Sequence, residues 1–135
     1  MATQNMPTPS EMSRVTPMLK ALDLTETVAF YTKTLGFHVE NQRKSEDGKP
    51  TWCALRWDGA ALMFYSAESL DQPPGAPSMT GVLYFNPINV RALWERLKGR
   101  VKVEWPLEQM DYGMLEFAIR DCNGYILSFG QENEE

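Results

Sequence analysis

"LDLTETVAFYTKTLGF", residues 22–37, decides the fold, because it occurs twice in outline. Asp23 is a good N-cap, and Glu26 stands three residues on, as in a capping box. Leu24, Val28, Tyr31 and Leu35 fall on one helical stripe, and Gly36 is a natural stop. Sixty-six residues further on, "INVRALWERLKG" (88–99) repeats the arrangement: Asn89 replaces Asp23, Val90 replaces Leu24, Trp94 replaces Val28 and Leu97 replaces Tyr31, with Gly99 at the end. The identities differ and the roles match, which marks a duplicated unit.

Strand-like segments flank both helices. "RVTPMLKAL" precedes the first; "FHVENQRK", "TWCALRW" and "AALMFYSA" follow it. "MTGVLYFNP" precedes the second; "VKVEWPL", "MLEFAIR" and "YILSFGQ" follow it. Turn signals separate them at 46–49, Asp58-Gly59 and Asn123-Gly124. The spacing predicts an α+β protein of two βαβββ modules, whose curved antiparallel sheets form cups with the helices on the outer face. A tail covers 1–13, the first module 14–67, a proline-rich linker 68–78, the second module 79–131 and an acidic tail 132–135, all within one globular domain.

Alternation sets the faces. Val15, Leu19 and Ala21, then Ala61, Met63 and Tyr65, are expected under the first helix. Leu83 and Phe85, then Tyr125, Leu127 and Phe129, are expected under the second. Thr16, Met18, Leu62, Phe64, Val82, Tyr84, Ile126 and Ser128 are left to line the cups. That set is too apolar for a solvated face, so a ligand or a second copy of the chain is expected to cover it.

The chain has 135 residues, a formal net charge of -5 and a pI near 4.9. Without a basic patch, nucleic acid is not an expected partner. Cys53 and Cys122 lie far apart and form no CxxC pair, so they are expected to be reduced bystanders. The opening "MATQNMPTPSEM" lacks the apolar core of a secretory signal, and no apolar run is long enough to span a bilayer. A cytoplasmic protein without membrane partners is the expectation.

The paired units, the "DLTETVAFYTKTLGF" helix and the closing "YGMLEFAIRDCNGYILSFG" resemble the vicinal-oxygen-chelate superfamily over residues 14–131. Its members include glyoxalase I, extradiol dioxygenases, and fosfomycin- and bleomycin-resistance proteins. The resemblance implies up to four metal-ligand positions, here Thr16, Phe64, Val82 and Ser128. None carries an imidazole, carboxylate or thiolate, so no metal or other cofactor and no catalytic residue is expected. The resemblance then points to the branch that binds and sequesters a drug as a homodimer. "YGMLEFAIRDCNG" is similar to that branch's closing hairpin, with Tyr112 in place of Trp and Cys122 in place of Pro. Pro17 matches a proline beside an arm exchanged between subunits. The expected function is metal-independent binding of a small molecule, such as an aromatic or cationic antibiotic. The alternative is a lyase, isomerase or oxygenase with an unusual metal site.

Within that reading, Trp52, Phe64, Tyr84, Tyr112 and Trp105 are candidate stacking walls, with Met114 beside them. Glu116 suits a cationic ligand, unless it is merely exposed or is paired with Arg56 or Arg120. Arg56, if it lines the cup, favours an anion instead. His38, the single histidine, lies on a strand entering a charged turn and reads as a surface residue rather than a base.

Overall fold

The computed structural model describes residues 12–67 and 77–133. Most of the expected N-terminal tail and linker, and the last two residues, lie outside them. The order is β1 (Met18–Ala21), α1 (Leu24–Ala29, continued by π turns over Phe30–Leu35), β2 (His38–Lys44), β3 (Pro50–Trp57) and β4 (Ala60–Ser66). The second module repeats it as β5 (Leu83–Phe85), α2 (Val90–Leu97), β6 (Lys102–Gln109), β7 (Met114–Arg120) and β8 (Ile126–Glu132). Asp23 and Asn89 cap their helices through side-chain oxygens, accepting from the backbone N–H of Glu26 and Ala92 at 3.0 Å. Gly36 ends the first helix at φ +116°, the left-handed stop that glycine adopts freely. Gly99 plays no such part: α2 stops at Leu97 with Lys98 as a right-handed cap.

Each module forms a four-stranded sheet, ordered β1-β4-β3-β2 and β5-β8-β7-β6. The sheets are mixed, not wholly antiparallel: β1 runs parallel to β4, and β5 to β8. The cause is directional. The helix returns the chain to the far edge of the sheet, and the three-strand meander then arrives beside the first strand pointing the same way.

The register corrects the face assigned to β4. Leu19 stands beside Phe64, and Cys53 opposite it. Leu19 packs on the core, so Phe64 must as well. Phe64 is fully buried, its ring 5.0 Å from that of Tyr31, and Leu62 is buried with it. Both leave the cup, and Ala61, Met63 and Tyr65 take the face they were expected to occupy. Alternation alone could not choose between two apolar faces, and the register with β1 does. The other strand assignments agree with the packing: Ala21, Tyr125, Leu127 and Phe129 belong to the core, and Leu19, Leu83, Phe85, Trp57 and Trp94 pack against it. Val15 is the exception: it precedes β1, lies outside the sheet and is 79 % exposed rather than under the helix.

One core serves both modules. Phe64 meets Tyr125 at 6.4 Å, and Phe37 meets Phe85 at 6.3 Å. The β7–β8 turn reaches into the first module. Asn123 Oδ1 accepts from the Leu22 N–H (2.7 Å), and its Nδ2 donates to Thr27 Oγ1 (3.0 Å). The Tyr31 hydroxyl donates to Asp121 at 2.5 Å, deep in the core. Arg96 of α2 donates to the carbonyls of Thr34 (2.9 Å) and Leu35 (2.7 Å), satisfying the end of the other module's helix. Its guanidinium also lies 5.8 Å from the Trp57 ring centre.

Candidate functional site

The helices cover one face of each sheet, and the other face carries the candidate site. In the first module, Met18 stands beside Met63, Trp52 opposite Tyr65, Ala54 opposite Met63 and Arg56 opposite Ala61. Thr16 shares the parity of Met18. In the second, Tyr84 stands beside Ser128, Ala118 between Ser128 and Trp105, Glu116 opposite Gly130, Met114 opposite Glu132 and Arg120 opposite Ile126. Val82 shares the parity of Tyr84. Of the expected site residues, only Leu62 and Phe64 lie on the wrong side.

Several apolar side chains on these faces are open to solvent: Met18 is 49 % exposed and Tyr84 44 %, with Val82 also exposed, while Tyr112, on the β6–β7 loop, is 62 % exposed. Trp52, Met114 and Ile126 are half-buried. A cavity of about 360 Å³ opens along the free edge of β1, lined by Met18, Tyr65, Pro77, Met79 and Tyr125 among others. Its size is in the range of small-ligand sites.

Each face carries one equivalent ion pair. Arg56 donates to Glu40 at 2.5 Å, and Arg120 to Glu104 at 2.9 and 3.0 Å. Neither arginine is therefore the partner of Glu116, and the Arg56 charge already has its carboxylate. His38 is exposed on the edge strand β2, opposite Arg56.

Glu116 is only 2 % exposed. Two phenols donate to one of its oxygens: Tyr112 Oη at 2.6 Å and Tyr84 Oη at 3.0 Å, both to Oε1. The carboxylate beside it, helped by desolvation, pushes the Tyr112 hydroxyl up to about 12. Burial and then the same carboxylate raise Tyr84 to about 12. Both phenols therefore stay protonated donors through neutral pH. Tyr84 reaches Glu116 by lying across the sheet over Gly130. A Cβ at Gly130 would stand 2.0 Å from Tyr84 Oη, so only glycine leaves the passage open. Beside this clamp two buried polar atoms, Ser128 Oγ and Trp105 Nε1, have no hydrogen-bond partner among the described residues.

The donor chemistry does not fit a metal. With β4 in its observed register, the position expected at Phe64 passes to Met63 on the open face, so the four candidates are Thr16, Met63, Val82 and Ser128. Thioether, aliphatic and hydroxyl groups are weak ligands for zinc, iron or manganese. Among the described residues no three of His, Cys, Asp and Glu come together as a metal cluster. Both cysteines are free, and burial pushes their thiols up to about 11, away from nucleophilic reactivity.

Sequence reasoning missed Met63, Tyr65 and Gly130. The first two were one step of parity away from view. Gly130 lies inside the last strand, "YILSFGQ", and its signal was the absence of a side chain where a bulky one would fit the pattern.

A sequence model described as the Glyoxalase/Bleomycin resistance protein/Dioxygenase superfamily matches residues 17–129. No curated protein matches in sequence. Among solved structures, TioX from Micromonospora sp. ML1 superposes with a TM-score of 0.73 at 17% identity, over 90% of this chain and 99% of that one. TnmS3, an antibiotic binding protein from Streptomyces sp. CB03234, gives 0.69 at 23% identity over 93% and 100%. A glyoxalase/bleomycin resistance protein/dioxygenase from Nocardioides gives 0.68 at 18% over 98% and 91%. At these identities the likeness concerns the fold.

Proposed function

We propose that this chain, which belongs to the glyoxalase/bleomycin resistance protein/dioxygenase superfamily, binds and sequesters a small organic molecule without a metal and without transforming it. The observation that carries the reading is the pair of uncovered concave faces, rich in Met, Trp and Tyr, on which no three of His, Cys, Asp and Glu come together among the described residues. Apolar burial and aromatic stacking supply affinity on such a surface, and a few polar groups fix orientation.

Each sheet leaves its other face open, because the modules of one chain meet on the core side, through Phe64–Tyr125, Phe37–Phe85 and the bonds of Arg96 and Asn123. A second copy completes both cups. Charge supports pairing of unlike halves: beyond its Arg56–Glu40 pair the first face carries Arg43, whereas beyond its Arg120–Glu104 pair the second carries Glu108 and Glu116 beside Lys102. The description of TnmS3 as an antibiotic binding protein supports an antibiotic-like ligand. No helix is long and apolar enough to cross a membrane among the described residues; the site of action we propose is the cytoplasm.

Sedimentation and tryptophan fluorescence test this together. The expected result is a dimer whose emission is quenched saturably by a flat aromatic antibiotic. A monomer that binds no such compound would overturn the reading. Close to one metal ion per chain in gently purified protein would instead favour a lyase, isomerase or oxygenase.

A further inference from the structure

Glu116 is a buried carboxylate with no basic group against it. The three ion pairs of the described residues are Arg56–Glu40, Lys98–Glu95 and Arg120–Glu104. Its two phenol donors both use Oε1, and among the described residues Oε2 accepts no hydrogen bond. A carboxylate taken out of water is ordinarily paired or fully bonded; Oε2 is neither, and it keeps a narrow opening to solvent, through which the donor of a ligand can reach it. Glu108 stands opposite it across β6–β7, and Asp111 lies beside Tyr112. The cations on this face, Lys102 and Arg120, lie opposite each other at the far end of β7, and Arg120 is held by Glu104.

The phenols that screen Glu116 are themselves solvent-exposed, so they can swing aside without disturbing the core. Their rings can then lie against a cation, whose attraction to an aromatic face adds to that of the carboxylate. One row away, Ser128 is 1 % exposed with its hydroxyl unpartnered, and Trp105 Nε1 is a donor without an acceptor, among the described residues. Burial makes both costly to leave unpaired.

Resting on the ligand-binding reading above, we infer that the second module's face receives the cationic end of the ligand. A protonated amine or amidinium bonds Glu116 Oε2 between Tyr84 and Tyr112. The first module's face, whose Arg56 is already neutralised, receives the uncharged aromatic portion against Trp52, Met18 and Met63.

Three tricyclic probes of one shape test it by fluorescence titration of the full chain: 9-aminoacridine (cationic), acridone (neutral) and acridine-9-carboxylate (anionic). The cation is expected to bind at least about tenfold more tightly than the neutral probe, the worth of one charge-assisted hydrogen bond. Glu116→Gln should erase that preference while leaving acridone binding in place. Equal binding of all three, preference for the anion, or an undiminished preference in folded Glu116→Gln would overturn the inference and leave the binding reading standing. Binding of none would overturn both. Should Glu116→Gln fail to fold, a salt series on the unaltered protein decides: binding of the cation should weaken with added NaCl and that of acridone should not, and parallel behaviour would overturn the inference.

Discussion

Phe64 and Phe129 hold the same place in β4 and β8, each buried between its sheet and the helices, opposite Cys53 and Phe117. One residue earlier, the matching positions are Met63 and Ser128, beside Met18 and Tyr84. Along β3 and β7 the partners of those strands are Trp52 in one module and Glu116 in the other. The packed faces are alike in kind; the open faces are not. A shared core must be filled at close-packed density on both sides of its pseudo-symmetry. The open faces answer only to what covers them, so the second could turn polar and acidic while the first stayed apolar. The ion pairs Arg56–Glu40 and Arg120–Glu104 remain equivalent there, as do Ala54 and Ala118.

The strongest way to break this comparison is to remove its matched pair. Phe64→Ala and Phe129→Ala should each cost about 3–5 kcal/mol in urea unfolding, as buried aromatics do. A small cost for Phe64 would return that ring to the cup and unseat the register. Tyr31→Phe should cost about 1.5–3 kcal/mol, because Asp121 loses its one side-chain donor and keeps only the N–H groups of Asn123 and Tyr125. Asp23→Ala and Asn89→Ala should each cost about 1 kcal/mol if the helices are equivalent.

Alkaline titration sharpens the difference between the open faces. A phenol raised in the folded state contributes stability that is whole below its ordinary value of about 10 and is lost as pH passes the folded value. For Tyr84 and Tyr112 that window closes near 12. Gly130→Ala should expel Tyr84 from Glu116, and phenolate absorbance should then show one tyrosine titrating nearer 10. An unchanged curve would mean that Tyr84 does not lie over Gly130 in solution. The smallest effect is expected from Arg56→Ala and Arg120→Ala, each under about 1 kcal/mol because both pairs are partly exposed. Unequal costs would show that only one face exploits its pair.

Most of this architecture was legible in the chain. The caps Asp23 and Asn89, the helix stripe and the turn glycines are local signals, and local signals survive folding. Sheet direction and the face of β4 were not legible, because both sides of "AALMFYS" are apolar and only β1, forty residues earlier, breaks the tie. The clamp on Glu116 depends on Tyr84, Tyr112 and Gly130, which meet only after three elements assemble. Asn123-Gly124 is a turn signal in the sequence; of the two, Gly124 takes positive φ (+92°), while the side chain of Asn123 is spent on the first module.

That exchange of bonds bears on how the molecule comes apart. Arg96 finishes the helix of the first module, while Asp121 and Asn123 anchor the hydroxyls of Tyr31 and Thr27 and the amide of Leu22. Each half thus holds groups the other must leave unsatisfied if it stands alone. The duplicated units are separate in ancestry of pattern but not in stability, and melting should proceed in one cooperative step, with no stage at which one half is intact and the other is coil.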